Sequence, residues 1–241
     1  MALAAAIADR PVKADPRLIV ALDIASRAEA EAVVERLGDA AVFYKVGLQL
    51  LAVGGMETAR ELKRLGRQVF LDWKLHDIGA TVEKAMAAIA AAGAGDFVTV
   101  HAEPQVLAAA VRGRGGSGLK ILGVTVLTSL ADRDLAAIGY EASLESLVER
   151  RVRQVLDAGA DGVIVSPREA ALARRIGGPA LLVVTPGVRP TWAAADDQAR
   201  AETPAYSLGQ GASHIVVGRP VTAAPDPRAA AFAIAAEMAG A

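Results

Sequence analysis

An ammonium set between two carboxylates is the part of this sequence best suited to moving a proton. Asp72, Lys74 and Asp77 lie in one segment, Phe70-Leu71-Asp72-Trp73-Lys74-Leu75-His76-Asp77-Ile78, which begins as a strand and ends as a charged loop. Side chains on a strand alternate faces, so Phe70, Asp72 and Lys74 point one way and Leu71 and Trp73 the other. An Asp and a Lys on the inner face of an apolar strand are costly to bury unless they pair. Carboxylates on both sides of Lys74 favour its charged form. A lysine held in that form is a proton donor rather than a nucleophile. The structural alternative is an ion pair plus a cap, with Asp77 capping a helix that starts near Gly79 or Thr81.

The remaining polar residues sharpen this reading once the elements that position them are laid out. Apolar runs of strand length alternate with helical patterns eight times: strands at 17–22, 41–46, 68–74, 96–101, 119–127, 162–166, 180–185 and 214–218. Ser26, with Glu29 three residues on, reads as a capping box for the first helix. Continuous Val/Ile/Leu strands separated by helices indicate a parallel sheet buried on both faces. Eight such units in 241 residues predict an α/β fold of one domain, a closed (β/α)8 TIM barrel. An open doubly wound sheet is the alternative, but no G-x-G-x-x-G follows the first strand. The glycines of 113–118 lack the P-loop Lys-Ser/Thr and read as a flexible turn.

In a barrel, chemistry occurs where the strands end. Asp23 ends the first strand, Lys45 nears the end of the second, and Asp72 and Lys74 end the third. Thr128 and Ser129 follow the fifth. Two Asp and two Lys on three neighbouring strand ends form an alternating-charge network of the kind that marks active sites. A second cluster follows the seventh and eighth strands, the usual phosphate site of a barrel. Gly218 lets backbone N–H groups approach an anion, and Arg189 and Arg219 offer fork-shaped hydrogen bonds to it. His214 starts the eighth strand and reads as structural. His101 and His76 read as packing or orienting residues. No H-E-x-x-H or other metal-ligand spacing occurs.

Composition bounds the rest. The chain is 53% hydrophobic and 22% charged, with net charge -1 and no cysteine. That gives no electrostatic case for a nucleic-acid or anionic-membrane partner, and it excludes disulfides and thiolate chemistry. Residues 1–16 read as a loose tail ahead of a catalytic barrel domain at 17–241. The apolar stretch at 3–8 is short and has no basic residue before it, which makes a poor signal peptide. No apolar run reaches the roughly 18 residues of a membrane span. A cytoplasmic location is the expectation.

With these residues in place, the chain resembles the orotidine 5'-phosphate decarboxylase family over about residues 18–222. The most specific motif is Leu71-Asp72-Trp73-Lys74-Leu75-His76-Asp77-Ile78 with Thr81. Leu127-Thr128-Ser129, Thr185-Pro186-Gly187-Val188-Arg189-Pro190, Asp197-Gln198 and Val217-Gly218-Arg219 follow in matching order. The Asp-x-Lys-x-x-Asp signature alone is shared with sibling barrels that process ketose phosphates; the later motifs separate this chain from them.

The resemblance implies a cofactor-independent and metal-independent decarboxylation of orotidine 5'-phosphate to UMP. Lys74 is then the proton donor to C6, with Asp72 beside the departing carboxylate. Lys45 binds Asp72 and the ribose, and Asp23 a ribose hydroxyl. Thr128 meets the pyrimidine edge and Pro186 packs near it. Gln198 bridges base and phosphate, while Arg189, Gly218 and Arg219 hold the phosphate. Asp77, with Thr81, reaches across from the other subunit of a homodimer with shared sites, and Ile78 is a further substrate-binding residue. One departure is Gly79-Ala80, where many relatives have Pro-Asn, so a more flexible loop is expected there. The competing readings are a metal-dependent ketose-phosphate decarboxylase or aldolase, and a barrel that binds a nucleotide phosphate without turnover.

Overall fold

The computed structural model describes residues 13–193 and 202–240. The elements run β1 (Leu18–Ala21), α1 (Arg27–Leu37), β2 (Phe43–Gly47), the short α2 (Leu48–Leu51), α3 (Gly55–Arg64), β3 (Gln68–Leu75), α4 (Gly79–Ala92) and β4 (Phe97–His101). The second half continues with α5 (Pro104–Arg114), β5 (Lys120–Val124), α6 (Asp132–Ala137), α7 (Leu144–Asp157), β6 (Gly162–Ile164), α8 (Ala170–Gly177), β7 (Leu182–Thr185), α9 (Pro204–Gly209), β8 (His214–Val217), α10 (Arg219–Thr222) and α11 (Pro227–Ala239). The strands close into a barrel in the order β1 to β8, β8 pairing in parallel with β1. The TIM barrel read from the sequence is the fold. No helix among the described residues is long and apolar enough to cross a membrane.

Strand alternation divides the core into two layers. Leu18, Val20, Leu71 and Trp73 face outward into the shell between strands and helices. Ile19, Phe43, Phe70, Phe97, Leu122 and Ile164 face inward and fill the barrel. Phe97 packs edge-on to Phe43 at 5.0 Å and to Phe70 at 6.1 Å, the favoured geometry for aromatic pairs. These three rings form a plug. One alternation further along the same inward faces stand Lys45, Asp72 and Thr99, so the polar layer rests directly on the aromatic one.

His214 sits below the polar layer, 5.2 Å from the Phe97 ring and 5.8 Å from Phe43. Burial depresses its imidazole to about 4, against the opposing charge of Asp15. The folded protein therefore holds His214 neutral while the unfolded chain protonates it near its ordinary value. Stability from this residue is intact above about pH 6.5 and is lost as pH falls towards 4. Denaturant unfolding at pH 7 and pH 4.5 should show His214→Leu losing about 2–3 kcal/mol less on acidification than the parent. An equal loss in both proteins would discount the role.

Of the turn expected at 113–118, the part from Gly115 onward follows the end of α5 as read, and Gly113 departs from it. Gly113 lies inside α5, not in a turn, and an added Cβ would meet the Glu83 carbonyl oxygen of α4 at 2.2 Å. The residue is glycine because two helices touch there. Gly79-Ala80 is likewise helical, forming the first turn of α4 instead of a looser loop.

Candidate active site

The charged residues read from the sequence converge at the C-terminal mouth of the barrel. Lys45, buried on β2, places its Nζ 2.8 Å from Asp23 Oδ1 and 3.4 Å from Asp72 Oδ2. Asp72 on β3 accepts from Lys74 Nζ at 2.8 Å through its other oxygen. The four side chains thus form one alternating line, Asp23–Lys45–Asp72–Lys74. Burial pushes the Asp72 carboxyl up, but the charges of Lys45 and then Lys74 outweigh it. Hydrogen bonds from Lys74 and Thr99 add to them, and the group lies below the usual carboxylate value. An ionised Asp72 that accepts from Lys74 Nζ is an arrangement suited to aiming a proton donor.

Two clefts meet along this line. The larger, about 490 Å³, runs from Asp23, Lys45, Asp72 and Lys74 to Pro186, Arg189, Gly218 and Arg219. The smaller, about 150 Å³, extends from Lys45, Asp72 and Lys74 towards Thr128, Pro186 and Ile164. The first is rich in cations at its far end; the second is walled largely by apolar side chains, among them Phe70, Val124, Leu127, Ile164 and Val216. Arg189 is held in a strapped segment: its N–H donates to the Glu202 carbonyl at 2.9 Å, and Arg168 grips the Glu202 carboxylate at 2.8 Å. Gly218 opens the short α10, which begins at Arg219. Expected residues Asp23, Lys45, Asp72, Lys74, Thr128, Pro186, Arg189, Gly218 and Arg219 therefore share one connected space. Gln198 lies outside the described residues.

Asp77, Ile78 and Thr81 line neither cleft. Asp77 Oδ1 accepts from the N–H of Ile78 at 2.6 Å, and the carboxylate that pairs with Lys74 from its own segment is Asp72. Ile78 is 72% exposed, and Leu48 and Val53, which follow the neighbouring β2, are 55% and 46% exposed. Behind this rim, the His76 and His101 rings lie 4.8 Å apart. Arg151 ties Glu103 at 3.0 Å to the Tyr140 hydroxyl at 2.9 Å. Burial lowers the His101 imidazole, against the opposing Glu103 charge. Among the described residues no group of three or more His, Cys, Asp or Glu is placed to hold a metal ion.

Two site residues escaped the sequence reading. One is Thr99, whose hydroxyl lies 3.0 Å from Asp72 Oδ1. A repeat across three successive strands points to it: Phe43-Tyr44-Lys45, Phe70-Leu71-Asp72 and Phe97-Val98-Thr99 each set a polar residue one alternation above the plug. The other is Gly47, where an added Cβ would lie 2.4 Å from Asp23 Oδ1 and 2.9 Å from Lys45 Nζ. Both atoms are tips of side chains that can swing away. Gly47→Ala should therefore keep the fold, with a melting temperature within a few degrees of the parent, while lowering kcat/KM about 10-fold or more through loss of the Lys45–Asp23 pair. Unchanged kinetics in a folded variant would show that the pair does not matter.

Comparisons with known proteins agree with this geometry. Residues 16–234 match the family described as orotidine 5'-phosphate decarboxylase / HUMPS. An orotidine 5'-phosphate decarboxylase of Caulobacter sp. (strain K31) is 64% identical over 229 residues, covering 95% of this chain and 100% of that protein. One from Caulobacter vibrioides (strain NA1000 / CB15N) is 61% identical, covering 94% and 99%. The crystal structure of orotidine 5'-phosphate decarboxylase from Lactobacillus acidophilus superposes with a TM-score of 0.81 at 37% identity, covering 93% of this chain and 99% of that one.

Proposed function

The chain belongs to the orotidine 5'-phosphate decarboxylase / HUMPS family, and we propose that it decarboxylates orotidine 5'-phosphate to UMP and CO2, the last step of UMP biosynthesis, in the cytoplasm. The observation that carries this reading is the Asp23–Lys45–Asp72–Lys74 line lying between a cationic cleft and a smaller apolar one. A nucleotide has the matching polarity, with a phosphate at one end and a flat base at the other.

Placed that way, the phosphate meets Arg189, Arg219 and the backbone at Gly218. The ribose meets Asp23 and Lys45. The base enters the smaller cleft, where Thr128 meets its edge, Pro186 packs near it and Gln198 spans from base to phosphate. The bond from C6 to the carboxylate carbon breaks and CO2 departs. Its electron pair stays on C6 in an sp2 orbital, with no carbonyl positioned to absorb it. The Lys74 ammonium stabilises that charge as it develops and then transfers a proton to C6. Lys74 is left neutral and is reprotonated from solvent. Fixed charge in a site that excludes water is the principal contribution; repulsion between Asp72 and the substrate carboxylate is an added ground-state effect. Phosphate contacts far from C6 contribute binding energy that is realised in the transition state.

The proposed assembly is a homodimer with shared sites. Asp77, Ile78 and Thr81 do not line their own cleft, and in this assembly Asp77 of one subunit meets Lys74 of the other. A UV assay with orotidine 5'-phosphate in the presence of EDTA tests the function. A sustained fall in substrate absorbance supports it. Activity lost to EDTA and restored by Mg²⁺ would favour the ketose-phosphate sibling chemistry, and UMP binding without turnover would favour a non-catalytic barrel.

A further inference from the structure

We propose that Thr99 is a positioning residue for the reaction: its hydroxyl closes a bulge in β3 and thereby fixes both the backbone of Lys74 and the orientation of Asp72. The inference rests on the decarboxylase reading of the same site and adds a residue to it.

The starting point is the pairing of β3 with β4. Phe70 pairs with Phe97 and Leu71 with Val98, but the next pair is Leu75 with Val100. From Leu71 to Leu75 β3 advances four residues, while from Val98 to Val100 β4 advances two. The surplus in β3 falls on Asp72, Trp73 and Lys74, and such bulges re-aim side chains next to active sites. Lys74 has φ 49°, the one non-glycine residue with positive φ among the described residues. A lysine gains nothing intrinsic from that left-handed backbone, and surrounding contacts must hold it there.

Thr99 supplies the contact. The Lys74 N–H, displaced from the regular ladder by the bulge, donates to Thr99 Oγ1 at 2.9 Å. The same hydroxyl donates its own proton to Asp72 Oδ1 at 3.0 Å, and that oxygen accepts from Lys74 Nζ at 2.8 Å. One buried hydroxyl, at 0% exposure, thus joins the main chain of the proton donor to the carboxylate that aims its side chain. The direction of each bond is set. Oγ1 accepts from a backbone N–H that can only donate, so its single proton is available to the carboxylate. Asp72 Oδ1 accepts from both donors, the Thr99 hydroxyl and the Lys74 ammonium.

Removing the hydroxyl leaves the Lys74 N–H without its acceptor and Asp72 with one fewer donor. The ammonium then loses its fixed position relative to C6, and misplacement of a reacting group by about 1 Å costs on the order of 100-fold in rate. The phosphate loops after β7 and β8 lie on the far side of the mouth and are unaffected.

The test compares Thr99→Val, which keeps the shape, with Thr99→Ser, which keeps the hydroxyl, in a UV assay on orotidine 5'-phosphate and in calorimetric titration with UMP. Thr99→Val is expected to lower kcat by about 10- to 100-fold while UMP affinity stays within about 3-fold. Thr99→Ser should recover kcat to within about 3-fold of the parent, a rescue that a purely space-filling role would not produce. Thr99→Ala serves as a second hydroxyl-free variant if valine prevents folding. The proposal is overturned if a folded hydroxyl-free variant keeps parental kcat, if UMP affinity falls in step with kcat, if serine is as impaired as valine, or if neither hydroxyl-free variant folds. Failure of the parent protein itself to consume orotidine 5'-phosphate would instead overturn the decarboxylase reading.

Discussion

Lys74→Ala is expected to lower turnover of orotidine 5'-phosphate by at least about 10⁴-fold while leaving UMP binding within a few-fold of the parent. The size follows from two roles carried by one ammonium. Removing a positioned general acid typically costs about 10²–10⁴, and removing a preorganised charge aimed at the developing carbanion costs a further 10²–10³ or so. Binding is spared because the phosphate residues Arg189, Gly218 and Arg219 belong to other strands. The fold is spared as well. Asp72 keeps Lys45 at 3.4 Å and the Thr99 hydroxyl at 3.0 Å, so its charge is not left bare. Single-turnover UV measurements alongside UMP calorimetry separate the two effects, and near-parental turnover would remove Lys74 from the chemistry.

Much of this site was legible because charge is expensive inside a barrel. Asp23, Lys45, Asp72 and Lys74 stand on strand ends otherwise made of Val, Ile, Leu and Phe, and only a shared purpose explains such neighbours. The fold was legible for the complementary reason: strands buried on both faces must be apolar throughout. Boundaries were less so. The apolar run at 119–127 outlasts β5, which ends at Val124, because Val126 is buried in the shell without pairing. The short α6 was not foreseen, since six residues, Asp-Arg-Asp-Leu-Ala-Ala, carry too little periodicity to signal a helix.

Thr99 and Gly47 show a different limit. Threonine on a strand is an ordinary β-former, and its role depends on a bulge in the neighbouring strand. Gly47 depends on where Asp23 and Lys45 meet across it. Both facts belong to the register between strands rather than to either segment. The repeated Phe-x-polar pattern on β2, β3 and β4 carried part of that register and names Thr99 as the third member of the polar layer. Asp77 is the converse case. Its spacing from Lys74 placed it in the same charge network, yet in its own subunit its carboxylate accepts from the Ile78 N–H and lines neither cleft. Sequence distance along a strand end does not distinguish a side chain facing its own barrel from one facing a neighbour.

That ambiguity leads to a test by mixing. Asp77→Ala and Lys74→Ala, each prepared as an inactive homodimer, are expected to regain activity when unfolded and refolded together. If Asp77 serves the partner's site, a mixed dimer contains one site with Lys74 from one chain and Asp77 from the other, both intact. The second site collects both lesions. Two-fold symmetry makes this exchange reciprocal, so each mixed dimer should reach up to roughly half the parental activity. Leu48, Val53 and Ile78 are exposed apolar side chains, the kind of surface that a partner subunit covers. If Asp77 instead swings back to its own Lys74, every site in every mixture keeps one lesion and activity stays at the level of the single variants. Mass measurement of the refolded population fixes the fraction of mixed dimers. A mixture rich in them but without recovered turnover would rule out the shared site.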